Sequence, residues 1–197
     1  MSATATLPVT MPGLDRRPFT AEEVLHLDRI GFFGPEERIE LIEGEICGMT
    51  PIGRRHSTSV SRLIAAFANL AGAGRCTIFP QSPVMLGARS LPQPDFCLAG
   101  LRPMKEVDHP RPDDIHLLVE VSESTLRLDR TTKLALYAKA GIREYWILNL
   151  NDNVLEIHTE PEPESATYRQ HRVVKKGETV APVAFPDYSI EVAAIIP

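Results

Sequence analysis

A chain of 197 residues, 43% of them hydrophobic, is long enough for one ordinary globular domain that buries roughly 70% of its unfolded surface and needs no covalent staples. The net charge of −5 excludes a global attraction to nucleic acid, so a polyanionic partner has to be held by a local basic surface. No apolar run is long enough to span a bilayer, Met1 to Leu14 lacks the parts of a secretory leader, and Cys47, Cys76 and Cys97 read as buried free thiols, which together point to a reducing cytoplasm.

Residues 1–17, rich in Thr and Pro, read as a loose arm, and 18–197 as a single domain. Thr20 with Glu23 forms a capping box that opens a short amphipathic helix through Val24, Leu25, Leu27 and Ile30, ended by Gly31. Arg38 to Met49 alternates around Glu43-Gly44 as a hairpin or bent strand pair, with Ile39, Leu41 and Ile46 toward the core and Glu40 on the other side. From His56 to about Leu70, the stripe Val60, Leu63, Ile64, Phe67 and Leu70 predicts a long helix, stopped by Gly72 and Gly74.

Arg75 to Phe79 and Val84 to Leu86 read as short strands separated by Pro80 and Pro83. Asp95 to Ala99 follows as a strand whose start is fixed by a Pro-rich turn, and residues 100–114 read as an exposed loop. Ile115 to Val121 is almost continuously apolar, as a central strand covered on both faces must be. A helix from Asp129, read as its N-cap, to Ala140 and an apolar strand from Glu144 to Leu150 complete a right-handed parallel crossover. Val154 to His158, Tyr168 to Val174 and Tyr188 to Val192 make the last third β-rich. The fold class is α/β, a central mixed sheet flanked by helices with a β-rich C-terminal extension.

Within this frame Glu120 stands near the C-terminal end of the apolar strand, where a carboxylate is costly without a partner. Asp95 and Glu120, arriving on adjacent strands, can share a divalent cation, with the Val121 carbonyl as a third oxygen. Mg²⁺ accepts such a shell. Lys133 opens the crossover helix and points back toward the end of the Glu120 strand; Tyr137 lies four residues on, with Arg130 a turn earlier on the same side. Each residue also has a plain structural explanation: Asp95 a turn, Glu120 an ion pair with an arginine, Lys133 a solvated helix lysine, Glu40 an exposed hairpin position, His56 a helix-start histidine. Ordinary polar surface accounts equally for Ser122, Arg130 and Tyr137.

A set of segments carries a resemblance. They are Arg38 to Ile46, Thr50-Pro51-Ile52-Gly53 with His56, Gln81 to Val84, Pro92-Gln93-Pro94-Asp95, Val119 to Ser122 with Ser124-Thr125-Leu126, Asp129-Arg130 with Lys133, and Tyr137-Ala138 leading to Gly141 through Trp146. From about Pro18 to its end the chain resembles the Uma-two family of the PD-(D/E)XK, or restriction-endonuclease-like, superfamily. The resemblance implies a restriction-endonuclease-like core in which Asp95 and Glu120 bind Mg²⁺, with Mn²⁺ as a substitute, and a lysine positions or activates the attacking water. Ser122 stands where the superfamily pattern has that lysine, and Lys133 replaces it. Glu40 matches an additional acidic position and His56 a recurring histidine, while Ser122, Arg130 and Tyr137 become candidate contacts around the site.

The activity so implied is Mg²⁺-dependent hydrolysis of DNA, with DNA as partner and no membrane; the oligomeric state stays open, a homodimer included. The alternative is a catalytically silent nuclease fold acting as a nucleic-acid-binding or protein-interaction module. On the enzyme reading, Lys133→Ala is expected to abolish cleavage and leave the fold largely intact.

Overall fold

Residues 15–49, 51–101 and 109–197 are described by the computed structural model of the chain; the predicted arm falls outside them as far as residue 14. Helix α1 (Ala21–Arg29) opens on the predicted box: the Thr20 hydroxyl accepts the Glu23 amide at 3.2 Å and the Glu23 carboxylate accepts the Thr20 amide at 2.9 Å. Strands β1 (Ile39–Ile42) and β2 (Glu45–Gly48) pair antiparallel. Their two-residue turn has both φ angles positive, 49° at Glu43 and 90° at Gly44, the twist that a tight hairpin needs. Leu41 packs with Ala21, Val24 and Leu91 in a small core between the hairpin and α1. Helix α2 (Arg54–Gly72) buries Val60, Leu63, Phe67 and Leu70 of the predicted stripe, with Ile64 partly buried beside them.

The main sheet runs β3 (Thr77–Pro80), β4 (Phe96–Ala99), β5 (Ile115–Ser122), β6 (Glu144–Asn149), β7 (Val154–Glu162) and β8 (Thr167–Lys175), in that spatial order. Only β5 and β6 pair parallel, because only they are joined by a helical crossover. That crossover, α3, runs through Leu126–Leu128, a π-helical turn at Asp129–Lys133, and Leu134–Lys139. A ribbon of β9 (Thr179–Val180) and β10 (Ile190–Glu191) and a last turn of helix, α4 (Val192–Ile195), follow.

The unbroken apolar run of β5 has its explanation in two cores. Leu117, Val119 and Val121 enter one with Phe67, Phe96, Trp146 and Ile195, beneath α2. Leu118 enters the other with Cys97, Tyr137, Ala138, Ile142 and Tyr145, beneath α3. Glu120 shares the second face by alternation, so the one acid of the strand is aimed at α3.

Four expectations change. Val84 to Leu86 forms no strand of the sheet: the Val84 and Leu86 amides bond to the carbonyls of Pro92 and Ser90, while the Met85 amide between them bonds to Pro110. Helix α3 begins before Asp129, which lies inside it and is no N-cap. The expected strand at Tyr188 to Val192 shortens to Ile190–Glu191, Val192 opening α4. Cys76 and Cys97 are buried free thiols as expected, but Cys47 is only half-buried. Part of the predicted loop, 102–108, lies outside the described residues, and Pro112–Asp114 form a short 3₁₀ turn. Among the described residues no helix is long and apolar enough to cross a membrane.

Candidate active site

The register that pairs Phe96 with Val119 sets Asp95 level with Glu120 at the end of adjacent antiparallel strands. Asp95 Oδ2 accepts the Val121 amide at 2.9 Å and lies 2.9 Å from His56 Nε2, so the first turn of α2 closes over it. His56 Nδ1 is buried, with no hydrogen-bond partner among the described residues.

Glu120 is reached from the other side. Its Oε1 accepts from Lys133 Nζ at 3.0 Å and from the Tyr137 hydroxyl at 2.6 Å. Lys133 Nζ also donates to Glu40 Oε1 at 2.8 Å, and the same oxygen accepts the Gln93 amide at 2.8 Å. The ammonium thus bridges two carboxylates from opposite ends of the fold, and all three residues are at least 96% buried. Glu40 is therefore not an exposed hairpin residue, nor is Lys133 a solvated one.

Burial pushes Glu120 well above the usual carboxylate range; Lys133 pulls it back, and Asp129, Asp95 and Glu40 push it further up. For Lys133 burial acts downward, but Glu120 and Glu40 more than offset it, so the ammonium is held charged. Tyr137 is pushed up by burial and then by Glu120 and Glu40, which keeps its hydroxyl protonated as a donor.

The π turn of α3 decides which side chains arrive. Lys133 and Tyr137 both reach Glu120, but Arg130 does not join them. Its Nε and Nη2 grip Glu156 on β7 at 2.9 and 2.6 Å, because in the wider turn three residues fall short of a full revolution. Ser122 also turns away: its hydroxyl donates to Asp129 Oδ2 at 2.7 Å, beside Thr125 at 2.6 Å. Burial raises Asp129 while those two hydroxyls draw it back down. Ser122 is thus a tie between the end of β5 and the start of α3.

Glu40, His56, Asp95, Glu120, Val121 and Lys133 line a single cavity. Tyr137 braces Glu120 from behind it. Asp129 and Arg38 line the cavity too and were not expected there. Asp129 carried a signal, lying four residues ahead of Lys133 in a helix. Arg38, whose guanidinium donates to Gln93 Oε1 at 3.3 Å, carried none beyond preceding an alternating strand.

A solved structure described as a putative nuclease belonging to DUF820 from Anabaena variabilis ATCC 29413 is similar in fold, with a TM-score of 0.69 and 15% identity, covering 90% of this chain and 97% of the other. The type IIG restriction endonuclease BpuSI aligns more weakly, with a TM-score of 0.40 and 13% identity, over 76% of this chain and 16% of that one. No curated protein matches the sequence. The model of the Uma2 family, described as "Putative restriction endonuclease", matches residues 21–193. A match over nearly the whole chain places the protein in the Uma2 family.

Proposed function

We propose that the protein is a Mg²⁺-dependent DNA endonuclease of the PD-(D/E)XK type, with Asp95 and Glu120 as the metal-binding acids and Lys133 in place of the strand lysine. The observation that carries this reading is the buried Lys133 ammonium, hydrogen-bonded to Glu120 and Glu40 in the cavity that also holds Asp95. Burying an ammonium with two acids in one cleft is costly for stability alone, and such clusters concentrate at working sites.

The donor set suits a hard cation. Among the described residues, no hydrogen bond occupies Asp95 Oδ1, Glu120 Oε2 or Glu40 Oε2, which leaves one carboxylate oxygen on each acid for a ligand. All-oxygen donors favour Mg²⁺, with Mn²⁺ as a substitute; the Val121 carbonyl is a further candidate oxygen. When bound, the ion supplies a Lewis acid for the scissile phosphate and lowers the pKa of a water.

The rest is the work of side chains. His56 and the Val121 amide fix the rotamer of Asp95, and Tyr137 fixes Glu120. Glu40 holds Lys133 in register, so that its ammonium can offset the charge that builds on the phosphate oxygens. Arg38, at the cavity wall, is placed to meet a DNA phosphate.

The test is cleavage of plasmid and branched DNA with Mg²⁺ or Mn²⁺. Asp95→Ala should reduce the rate by at least about 10²-fold, the scale on which electrostatic stabilisers count. Calorimetry with equal Mg²⁺ binding by the wild type and an Asp95→Ala, Glu120→Ala double variant would remove the metal assignment. A wild type that binds DNA without cutting it under either ion would favour the non-catalytic module instead.

A further inference from the structure

On the face of the sheet beneath α3, at its far edge, β7 and β8 bring together three side chains that the nuclease reading leaves unused. His158 stands directly opposite His171 in the antiparallel register, and Glu156 lies two residues before His158 on the same face. A ring nitrogen of each histidine and a carboxylate oxygen of Glu156 all lie within 4.8 Å of one another. The two imidazoles stack, with centroids 4.5 Å apart and planes 18° from parallel. His158 is 7% exposed, and its Nε2 is buried without a hydrogen-bond partner among the described residues. An orphaned imidazole nitrogen in a core is costly and calls for a partner.

We propose that Glu156, His158 and His171 form a binding site for a divalent transition-metal ion of the zinc class, separate from the Asp95 and Glu120 cavity. Two imidazoles and one carboxylate are a donor set that zinc accepts, and imidazole nitrogen discriminates against Mg²⁺. Bonds of ~2.0–2.1 Å in a tetrahedral site need donors about 3.3–3.5 Å apart, so the trio has to draw in by an ångström or so. His171 is exposed and free to make that movement. Glu156 and His158 are held in place, the first by Arg130 and Asn149, the second by the ring of Tyr145 at 5.8 Å. Burial, then the neighbouring His171, pulls His158 down to about 4, so its ring is neutral and its lone pair available near pH 7.

Arg130 supplies a signature. Its guanidinium grips both oxygens of Glu156, so it repels and competes with a cation there. Removing it should tighten metal binding, whereas removing a histidine should weaken it. A trio that merely packs gives neither response.

The experiment uses the full chain, stripped of metal with chelator and dialysed, in an Asp95→Ala, Glu120→Ala background so that ions in the other cavity are not counted. Zn²⁺ binding is followed by calorimetry, and Co²⁺ by its visible absorption. One ion per chain, Co²⁺ bands of tetrahedral intensity, at least about tenfold weaker binding in His171→Ala, and tighter binding in Arg130→Gln would support the site. His171 is exposed, so its variant keeps the fold; His158→Gln, read beside it, tests the buried ligand. Equal Zn²⁺ affinity in His171→Ala, or no Zn²⁺ bound at micromolar concentration, would overturn the proposal. Neither outcome bears on DNA cleavage.

Discussion

Lys133 is the residue on which the structure most alters the expectation. From the sequence it was a long side chain that Lys133→Ala could remove without harm to the fold. In the structure it neutralises two buried carboxylates, Glu40 and Glu120. Lys133→Met, which keeps the stem and removes the charge, is expected to cost about 3–5 kcal/mol in denaturant unfolding as well as abolishing cleavage. Mg²⁺ should then raise the stability of the variant more than that of the wild type, because the ion finds two acids without a counter-charge. Glu120 was legible because a carboxylate in an apolar strand contradicts its surroundings. The partner of Arg130 was not, since Glu156 lies 26 residues further on and the pairing depends on a helical phase that composition does not reveal.

At the scale of elements, the chain announced what local chemistry decides: the Thr20 box, the Glu43-Gly44 turn, the stripe of α2. It hid what tertiary contacts decide. Val84 to Leu86 has the apolar look of a strand, but its amides are divided between the nearby Ser90–Pro92 segment and the distant Pro110. The Gly44 turn is open to a direct test. Its φ of 90° disfavours any side chain, and a Cβ there would run into the Cβ of Pro18. Gly31, with φ 73° and open space around it, carries the conformational cost alone. Gly31→Ala should lose about 1–2 kcal/mol and Gly44→Ala clearly more. Only the second should also lower cleavage, because the β1–β2 hairpin delivers Glu40. Thermal melts and rate measurements on the two variants make the comparison; equal losses would show that Pro18 yields without moving the hairpin.

At the scale of the whole molecule, the strand, helix, strand unit around β5 and β6 could be read from the sequence, since it is contiguous. The docking of the C-terminal segment could not. One of its ties is Glu144, almost wholly buried on β6, whose two oxygens accept the Trp146 indole N–H at 2.7 Å and the Val183 amide at 2.6 Å. Burial raises Glu144 above its ordinary value of 4.5, with the Val183 and Trp146 hydrogen bonds pulling the other way. Between pH 4.5 and the folded value the unfolded chain has released this proton while the folded one retains it. Stability from this group is therefore complete below 4.5 and declines as pH rises through the folded value. Melting curves across that range should show the advantage of the wild type over Glu144→Gln narrowing as pH increases; a constant gap would mean that Glu144 does not titrate there.

The π turn of α3 has a mechanical consequence. Within it Arg130 is fastened to Glu156 on β7 and Lys133 to Glu120 on β5, which Tyr137, one turn on, also holds. These anchors lie on different strands. A roll of the helix about its axis therefore has to give up hydrogen bonds to both strands. The lysine is thus delivered by an element denied its softest motion, which is how a side chain on a helix can hold its aim as steadily as one built into the strand itself.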